Sequence, residues 1–374
     1  MKIEFFRHNI GDIEKSKVCQ TLDSIFLTTG DVVYEFERQL SDFVGSDYAI
    51  GLMSCTAALH LSLLAYGIAP GDEVITTPMT FVATATAIMH TGAKPVFVDV
   101  EPETGNINAD LIEAAVTDKT KAILPVHLYG NMCDMRRIRE IADKYSLIVI
   151  EDSAHTIEAN RDGYGIGELS DAACFSFYAT KSITSGEGGA VSLNNKEKAE
   201  LIKQLSLHGI TKGAADRYTK KYKHWDMDLL GWKYNMSNIQ ASLLLNQLNN
   251  ADKYWQRRDE ISKRYEDAFS KLNGINYPKV PDQSKSGRHL FTVWVDPMNR
   301  DETLWSLQEK GIGVAVNYRA IHLLSYFREN FGFRKGAFPI AENIGESTIS
   351  IPLYPALTDI EVDYIINSVI EAVS

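Results

Sequence analysis

Between Tyr48 and Leu193, short apolar runs alternate with helix-length segments, and this alternation constrains the fold more than any other feature of the chain. Strands are expected at Tyr48–Leu52, Val74–Thr76, Pro95–Val98, Ala122–His127, Ile148–Asp152, Ala172–Ser176 and Ala190–Leu193. Helices are expected between several of them, at Ala57–Tyr66, Val82–Thr91, Ala109–Ala115 and Asp134–Tyr145. The strand segments are continuous Val/Ile-rich runs, as strands buried on both faces require. The pattern predicts an α/β fold with a mostly parallel central sheet flanked by helices. Ligands of such sheets bind at the carboxyl ends of the strands, and Ser54, His127 and Asp152 stand at such ends.

With 374 residues the chain is long enough for two domains. A large domain with an N-terminal arm is expected over 1–245. Residues 246–374 are expected to form a linking helix and a smaller C-terminal α+β domain. Ser237 to about Leu272 reads as one long helix or a pair, and a loop rich in Gly, Pro and Ser follows. Strand patterns at His289–Val295 and Ile312–Tyr318 and helices at Glu302–Lys310 and Asp359–Val373 complete the second unit. The Gly163-Tyr164-Gly165-Ile166-Gly167 segment reads as a turn or hairpin, since no apolar strand leads straight into it and no helix follows.

A formal net charge of -11 and the absence of a basic stripe argue against a nucleic-acid partner. No apolar run approaches the roughly 20 residues of a membrane span. The first residues carry an acid and soon turn polar, so no signal peptide is expected and the location expected is cytoplasmic. Four cysteines without CxxC spacing read as free thiols. Nine histidines without HExxH spacing make a metal site unexpected.

Two blocks carry chemistry. Leu147-Ile148-Val149-Ile150 ends in Glu151-Asp152, and Phe175-Ser176-Phe177-Tyr178-Ala179-Thr180-Lys181 leads into Ser185-Gly186-Glu187-Gly188-Gly189. Together they offer an amine to bond a carbonyl cofactor and a carboxylate to keep its ring protonated, the requirements of pyridoxal phosphate chemistry. Lys181 is the candidate for the amine, and burial near cationic neighbours is expected to lower its pKa. Asp152 is the candidate for the carboxylate. The Ser54-Cys55-Thr56-Ala57-Ala58 junction offers hydroxyls and helix N-terminal amides to a phosphate, although a plain N-cap would account for Ser54 and Thr56 equally well. Ser176 is a second phosphate candidate. Phe81 is a stacking wall or a core residue, and His155 is a contact to the cofactor ring or a satisfied buried histidine.

In these blocks the chain resembles the DegT/DnrJ/EryC1/StrS family of sugar aminotransferases, built on fold type I of the pyridoxal phosphate enzymes. The resemblance runs nearly end to end, from Thr28-Thr29-Gly30 to Ile351-Pro352-Leu353-Tyr354-Pro355. It includes Gly71-Asp72-Glu73-Val74-Ile75, Pro125-Val126-His127-Leu128-Tyr129-Gly130 and Gly231-Trp232-Lys233-Tyr234-Asn235-Met236. It implies Lys181 as the Schiff-base lysine, Asp152 as partner of the pyridine nitrogen and His155 near the phenolic oxygen. It further implies Phe81 as the stacking ring and Thr56, Cys55 and Ser176 around the phosphate. Asn235 would reach that phosphate from a neighbouring subunit, since the family works as homodimers with shared sites.

The resemblance implies L-glutamate as amino donor, with 2-oxoglutarate and pyridoxamine phosphate formed, and a UDP- or dTDP-linked 4-keto sugar as acceptor. Lys233, Tyr318, Arg319 and His322 are the expected contacts to the sugar nucleotide, though each could instead be a solvated surface group. Cys55, Ser153, Glu158 and Asn317 depart from the family's usual residues. Other readings stay open, and amination at C3 of the sugar instead of C4 is one. A sugar 3-dehydratase would carry histidine in place of Lys181. A cofactor-binding regulatory protein would use the fold without turnover. A nicotinamide oxidoreductase would need a GxGxxG turn where Ser54-Cys55-Thr56 stands.

Overall fold

The computed structural model describes residues 1–211 and 224–373. Seven strands form the central sheet: β1 (Tyr48–Leu52), β2 (Glu73–Thr76), β3 (Lys94–Phe97), β4 (Thr120–Ile123), β5 (Ile148–Asp152), β6 (Ala172–Ser176) and β7 (Gly189–Leu193). Their order is β1-β7-β6-β5-β4-β2-β3. The five strands β6, β5, β4, β2 and β3 run parallel, and β7 runs antiparallel to both of its neighbours. The mostly parallel sheet is thus the one expected from the apolar runs.

Burial explains why those runs do not alternate. Side chains of one strand point in turn to opposite faces, and here both faces are covered. Val149, Ala173 and Ile123 enter the core that packs under the Asp31–Val44 and Met135–Tyr145 helices. Ile150, Cys174 and Ala122 enter the core formed with the Cys55–Ala65 helix. The first three residues of β5 fall on alternate sides, so Glu151 and Asp152 must also diverge.

The run expected to extend β4 to His127 leaves the ladder after Ile123. Pro125 has no N–H to give, yet its carbonyl accepts from Asp152 N at 2.9 Å, and Val126 makes an isolated bridge to Asp152. Residues 237–272 form a pair of helices, Asn238–Asn249 and Ala251–Phe269, broken at Asn250. The Gly163 segment is the tip of a hairpin pairing Asn160–Arg161 with Tyr164–Gly165.

A separate core gathers Tyr265, Phe269, Phe291, Val293, Ile349, Ile351 and Ile365. It covers one face of an antiparallel pair, β8 (Phe291–Trp294) and β9 (Thr348–Ile351). The final helix, Asp359–Val373, has the limits expected. Ile312–Tyr318 does not form the strand expected of it. Gly313 N donates to Ile3 O at 2.7 Å, while Ala315 exchanges both bonds with Ser350, so the segment divides its backbone between two partners. Among the described residues no helix is long and apolar enough to cross a membrane.

Candidate active site

The carboxyl ends of β1, β2, β5 and β6 open onto one cavity of about 540 Å³, and the β6–β7 connection supplies Lys181 to its wall. Gly189 makes this convergence possible: a Cβ there would lie 2.2 Å from the carbonyl carbon of Ser54. Only glycine lets β7 pass against the junction that starts the Cys55–Ala65 helix. A second cavity, of about 600 Å³, is bordered by Glu103, Lys279, Trp294 and Asn343 and holds none of the expected site residues.

Asp152 is buried at the end of β5. Its Oδ2 accepts from Thr84 Oγ1 at 2.8 Å and its Oδ1 from Ala154 N at 3.1 Å. Cys55 Sγ lies 4.0 Å from the same Oδ1. Burial raises the Asp152 pKa, and the bonds from Thr84 and Ala154 oppose the rise. A carboxylate has about four acceptor positions, and these donors leave some for a cation in the cavity. A protonated pyridine nitrogen is a donor, and a free acceptor position on a buried carboxylate is what it requires.

Lys181 is half-buried, and its pKa is lowered to about 8. Burial is the cause, against the opposing pull of Cys55 and Asp152. The cationic neighbours expected to help are thus not responsible. Desolvation alone lowers the amine, because its neighbours here favour the charged form.

At the β1 end, Ser54 Oγ accepts from Ala57 N at 3.1 Å and caps the helix. Cys55 and Thr56 occupy its first turn and line the cavity with Ser176, whose hydroxyl takes the Tyr178 N–H at 3.4 Å. A helix N-terminus and two hydroxyls therefore border one space, an arrangement that suits a phosphate. Phe81, 56% exposed, stands at the opposite wall with its ring 5.8 Å from that of Tyr318.

His155 lines the cavity without ending free in it. Its Nδ1 accepts from Tyr129 N at 3.1 Å, so the neutral ring carries hydrogen on Nε2 and donates to Tyr318 Oη at 3.0 Å. Burial, and then the charge of Lys181, hold its pKa well below the usual histidine value.

The other expected contacts are scattered. Tyr318 lines the cavity, but Arg319 is exposed outside it. His322 is fully buried, donates from Nε2 to Glu342 at 2.9 Å and packs on Phe338, so it has no surface to offer a sugar nucleotide. Lys233 and Asn235 lie along the edge of β1, where Asn235 Nδ2 donates to Thr29 Oγ1 at 2.7 Å and Lys233 Nζ to Asn235 Oδ1 at 2.5 Å. Neither lines the cavity of its own chain.

Thr84 and His289 were not expected. Thr84 had a signal in its spacing: Thr80 precedes it by four residues at a helix start, and the two hydroxyls meet at 2.7 Å. His289 Nε2 lies 3.4 Å from Lys181 Nζ although 108 positions separate the residues, and no local pattern announces that contact.

Known proteins carry the same fold over the same length. A solved structure of a putative sugar aminotransferase, Spr1654 of Streptococcus pneumoniae in its PMP-form, superposes with a TM-score of 0.94 at 34% identity, covering 99% of each chain. The spore coat polysaccharide biosynthesis protein SpsC of Bacillus subtilis is 42% identical over 96% of this chain and 94% of its own. The UDP-4-amino-4-deoxy-L-arabinose–oxoglutarate aminotransferase of Shewanella sediminis is 35% identical over 98% and 97%. The model of the DegT/DnrJ/EryC1/StrS aminotransferase family matches residues 8–370. With an amine, a buried carboxylate and a helix N-terminus facing one cavity, the chain belongs to that family of sugar aminotransferases, whose cofactor is pyridoxal phosphate.

Proposed function

We propose that the protein moves the amino group of L-glutamate to a UDP- or dTDP-linked 4-keto sugar by a double-displacement mechanism. The observation that carries this reading is the meeting of Lys181, Asp152 and the Cys55–Ala65 helix N-terminus around one cavity. The likeness to the Shewanella enzyme, named for an oxoglutarate and a UDP-sugar substrate, supports the choice of partners.

When bound, the cofactor supplies an electron sink that makes a hydrogen beside the donor's nitrogen removable as a proton. Asp152 holds a proton on the ring nitrogen, with Thr84 fixing the carboxylate from behind. Thr56, Ser176 and the first-turn amides beside Cys55 bind the phosphate, and Phe81 covers the ring. Lys181 bonds the cofactor at rest. Freed from the cofactor, its amine would take the proton from the donor's α-carbon and would return a proton to the carbonyl carbon of the keto sugar. A pKa lowered to about 8 leaves a useful fraction of neutral amine near neutral pH. His155 holds Tyr318 at the rim, where the phenol can donate to the sugar.

The working form is a homodimer in which Asn235 and Lys233 serve the partner's site. Support comes from apolar side chains left bare beside these residues: Leu230 is 78% exposed and Ile25 87% exposed. Arg319, exposed next to Tyr318, meets the diphosphate. Arg319→Ala should raise KM for the keto sugar more than for glutamate, and equal rises would remove Arg319 from this role.

Initial rates with glutamate and a panel of UDP- and dTDP-linked keto sugars test the proposal. Parallel double-reciprocal lines are expected, along with loss of the cofactor's resting absorbance band on adding glutamate alone. Intersecting lines would overturn the double displacement. An unchanged band would point to a cofactor-binding protein without turnover.

A further inference from the structure

Beside Lys181 lies a buried group that the mechanism above does not use. His289 sits just before β8, and its Nε2 is 3.4 Å from Lys181 Nζ. Its ring packs on His155 with centroids 4.6 Å apart. The backbone fixes its place, since His289 N donates to Tyr129 O at 3.2 Å and Gly287 N to Gly130 O at 2.8 Å. Gly130 has φ 102°, and a Cβ there would lie 2.9 Å from Arg288 N, so glycine is what allows the two loops to close on each other.

Arg258 completes the setting. Its guanidinium is buried against Glu158, with Nη2 2.8 Å from Oε1, and donates to the Arg288 carbonyl at 3.0 Å and the Gly287 carbonyl at 3.3 Å. Glu158 thus anchors a permanent cation next to His289. Burial comes first, then the charge of Lys181 and that of Arg258, in keeping the His289 ring from protonating, with the neutral His155 ring packed beside it. Cys55 and Asp152 also act on Lys181 and favour its charged form. A neutral ring beside an ammonium has one productive role here, that of acceptor.

We propose that His289 is a positioning residue whose bare Nε2 accepts a hydrogen bond from the Lys181 ammonium and parks that amine whenever it is not bonded to the cofactor. The inference rests on reading Lys181 as the cofactor-bonding amine. Parking keeps the amine within reach while the donor occupies the cavity, and the neutral acceptor lets it give up its proton without leaving a second charge behind.

The apoenzyme supplies the test. Competitive acylation across about pH 6 to 10 with peptide mapping gives the midpoint at which Lys181 becomes nucleophilic. His289→Phe keeps the ring's bulk and removes the acceptor, so the midpoint should fall by about one unit or more. His289→Gln restores an acceptor and should hold the midpoint near the wild-type value. A Phe midpoint equal to wild type overturns the role.

Should the Phe variant not fold, histidine nitrogen NMR of the wild-type apoenzyme decides, with the His289 signal assigned by its loss in the Gln variant. Hydrogen on Nδ1 is expected, and hydrogen on Nε2 overturns the proposal. Borohydride reduction of the holoenzyme separates the two questions. Cofactor trapped on Lys181 with an unmoved midpoint defeats the parking role alone. Cofactor trapped elsewhere defeats the reading beneath it.

Discussion

Glu151 and Asp152 are consecutive carboxylates at the end of one buried strand, and they have opposite fates. Glu151 is turned toward the Met135–Tyr145 side, where His127 Nε2 donates to it at 2.8 Å and Gly167 N at 3.1 Å. His127 Nδ1 is itself occupied by Cys133 N at 3.2 Å, so both groups are enclosed in a closed network. Asp152 is turned toward the cavity and receives a hydroxyl and one backbone N–H, with Lys181 among its charged neighbours. Burial is nearly the same for the two, at 0% and 4% exposure, so burial cannot be what separates structure from chemistry. The difference is whether the acceptor positions are filled by the chain or left toward a space.

Exchanging each acid for its amide should break the symmetry most sharply. In the proposed mechanism Asp152→Asn removes the charge that holds a proton on the cofactor ring, and transamination should fall by about a thousandfold or more while the fold survives. Glu151→Gln should leave turnover within about threefold and lower stability by about 1–3 kcal/mol, as one bond of a buried network is lost. Steady-state rates and urea denaturation of both variants check this. Comparable loss of turnover in the two would show that the facing directions do not assign the roles.

The second contrast is one of pH. The neutral amine is the form that captures cofactor, so capture by apoenzyme should rise about tenfold per unit below about pH 8 and level off above it. Asp152 favours the ammonium, so Asp152→Asn should move that midpoint lower, and Glu151→Gln should leave it in place. Stopped-flow absorbance of cofactor binding reads both. A midpoint near 10.4, the ordinary lysine value, would mean that Lys181 is solvated in the apoenzyme.

What the sequence disclosed follows the same division. The limits expected for β1, β5 and β6 coincide with those observed, because strands buried on both faces write their length as uninterrupted apolar runs. Asp152 and Lys181 were legible because a strand end and a glycine-rich connection leave local marks. The sequence has no clear mark for β9, and Ile312–Tyr318 has the pattern of a strand without forming one, since pairing partners are chosen by packing rather than by propensity. His322 looked like a surface base, yet its burial with Glu342 depends on the Pro339–Ser347 helix folding over it. His289 is invisible for the same reason: its meaning lies in a residue far away in the chain.

Thr84 gives the smallest expected effect and the finest division between the two acids. Each acid draws one bond from a backbone amide and one from a side chain, His127 for Glu151 and Thr84 for Asp152, and of these two side chains Thr84 lines the cavity. The Thr84 hydroxyl lowers a carboxyl that burial raises, so Thr84→Val should raise the Asp152 pKa further. Asp152 acts as the anion, and the acid limb of kcat should therefore shift to higher pH, with about tenfold loss of turnover on that limb and little loss above it. Thr84→Ser keeps the donor and should restore the wild-type limb. A uniform loss at every pH, with the limb unmoved, would mean that Thr84 matters through packing of the helix start and that the carboxylate is set by the strand alone.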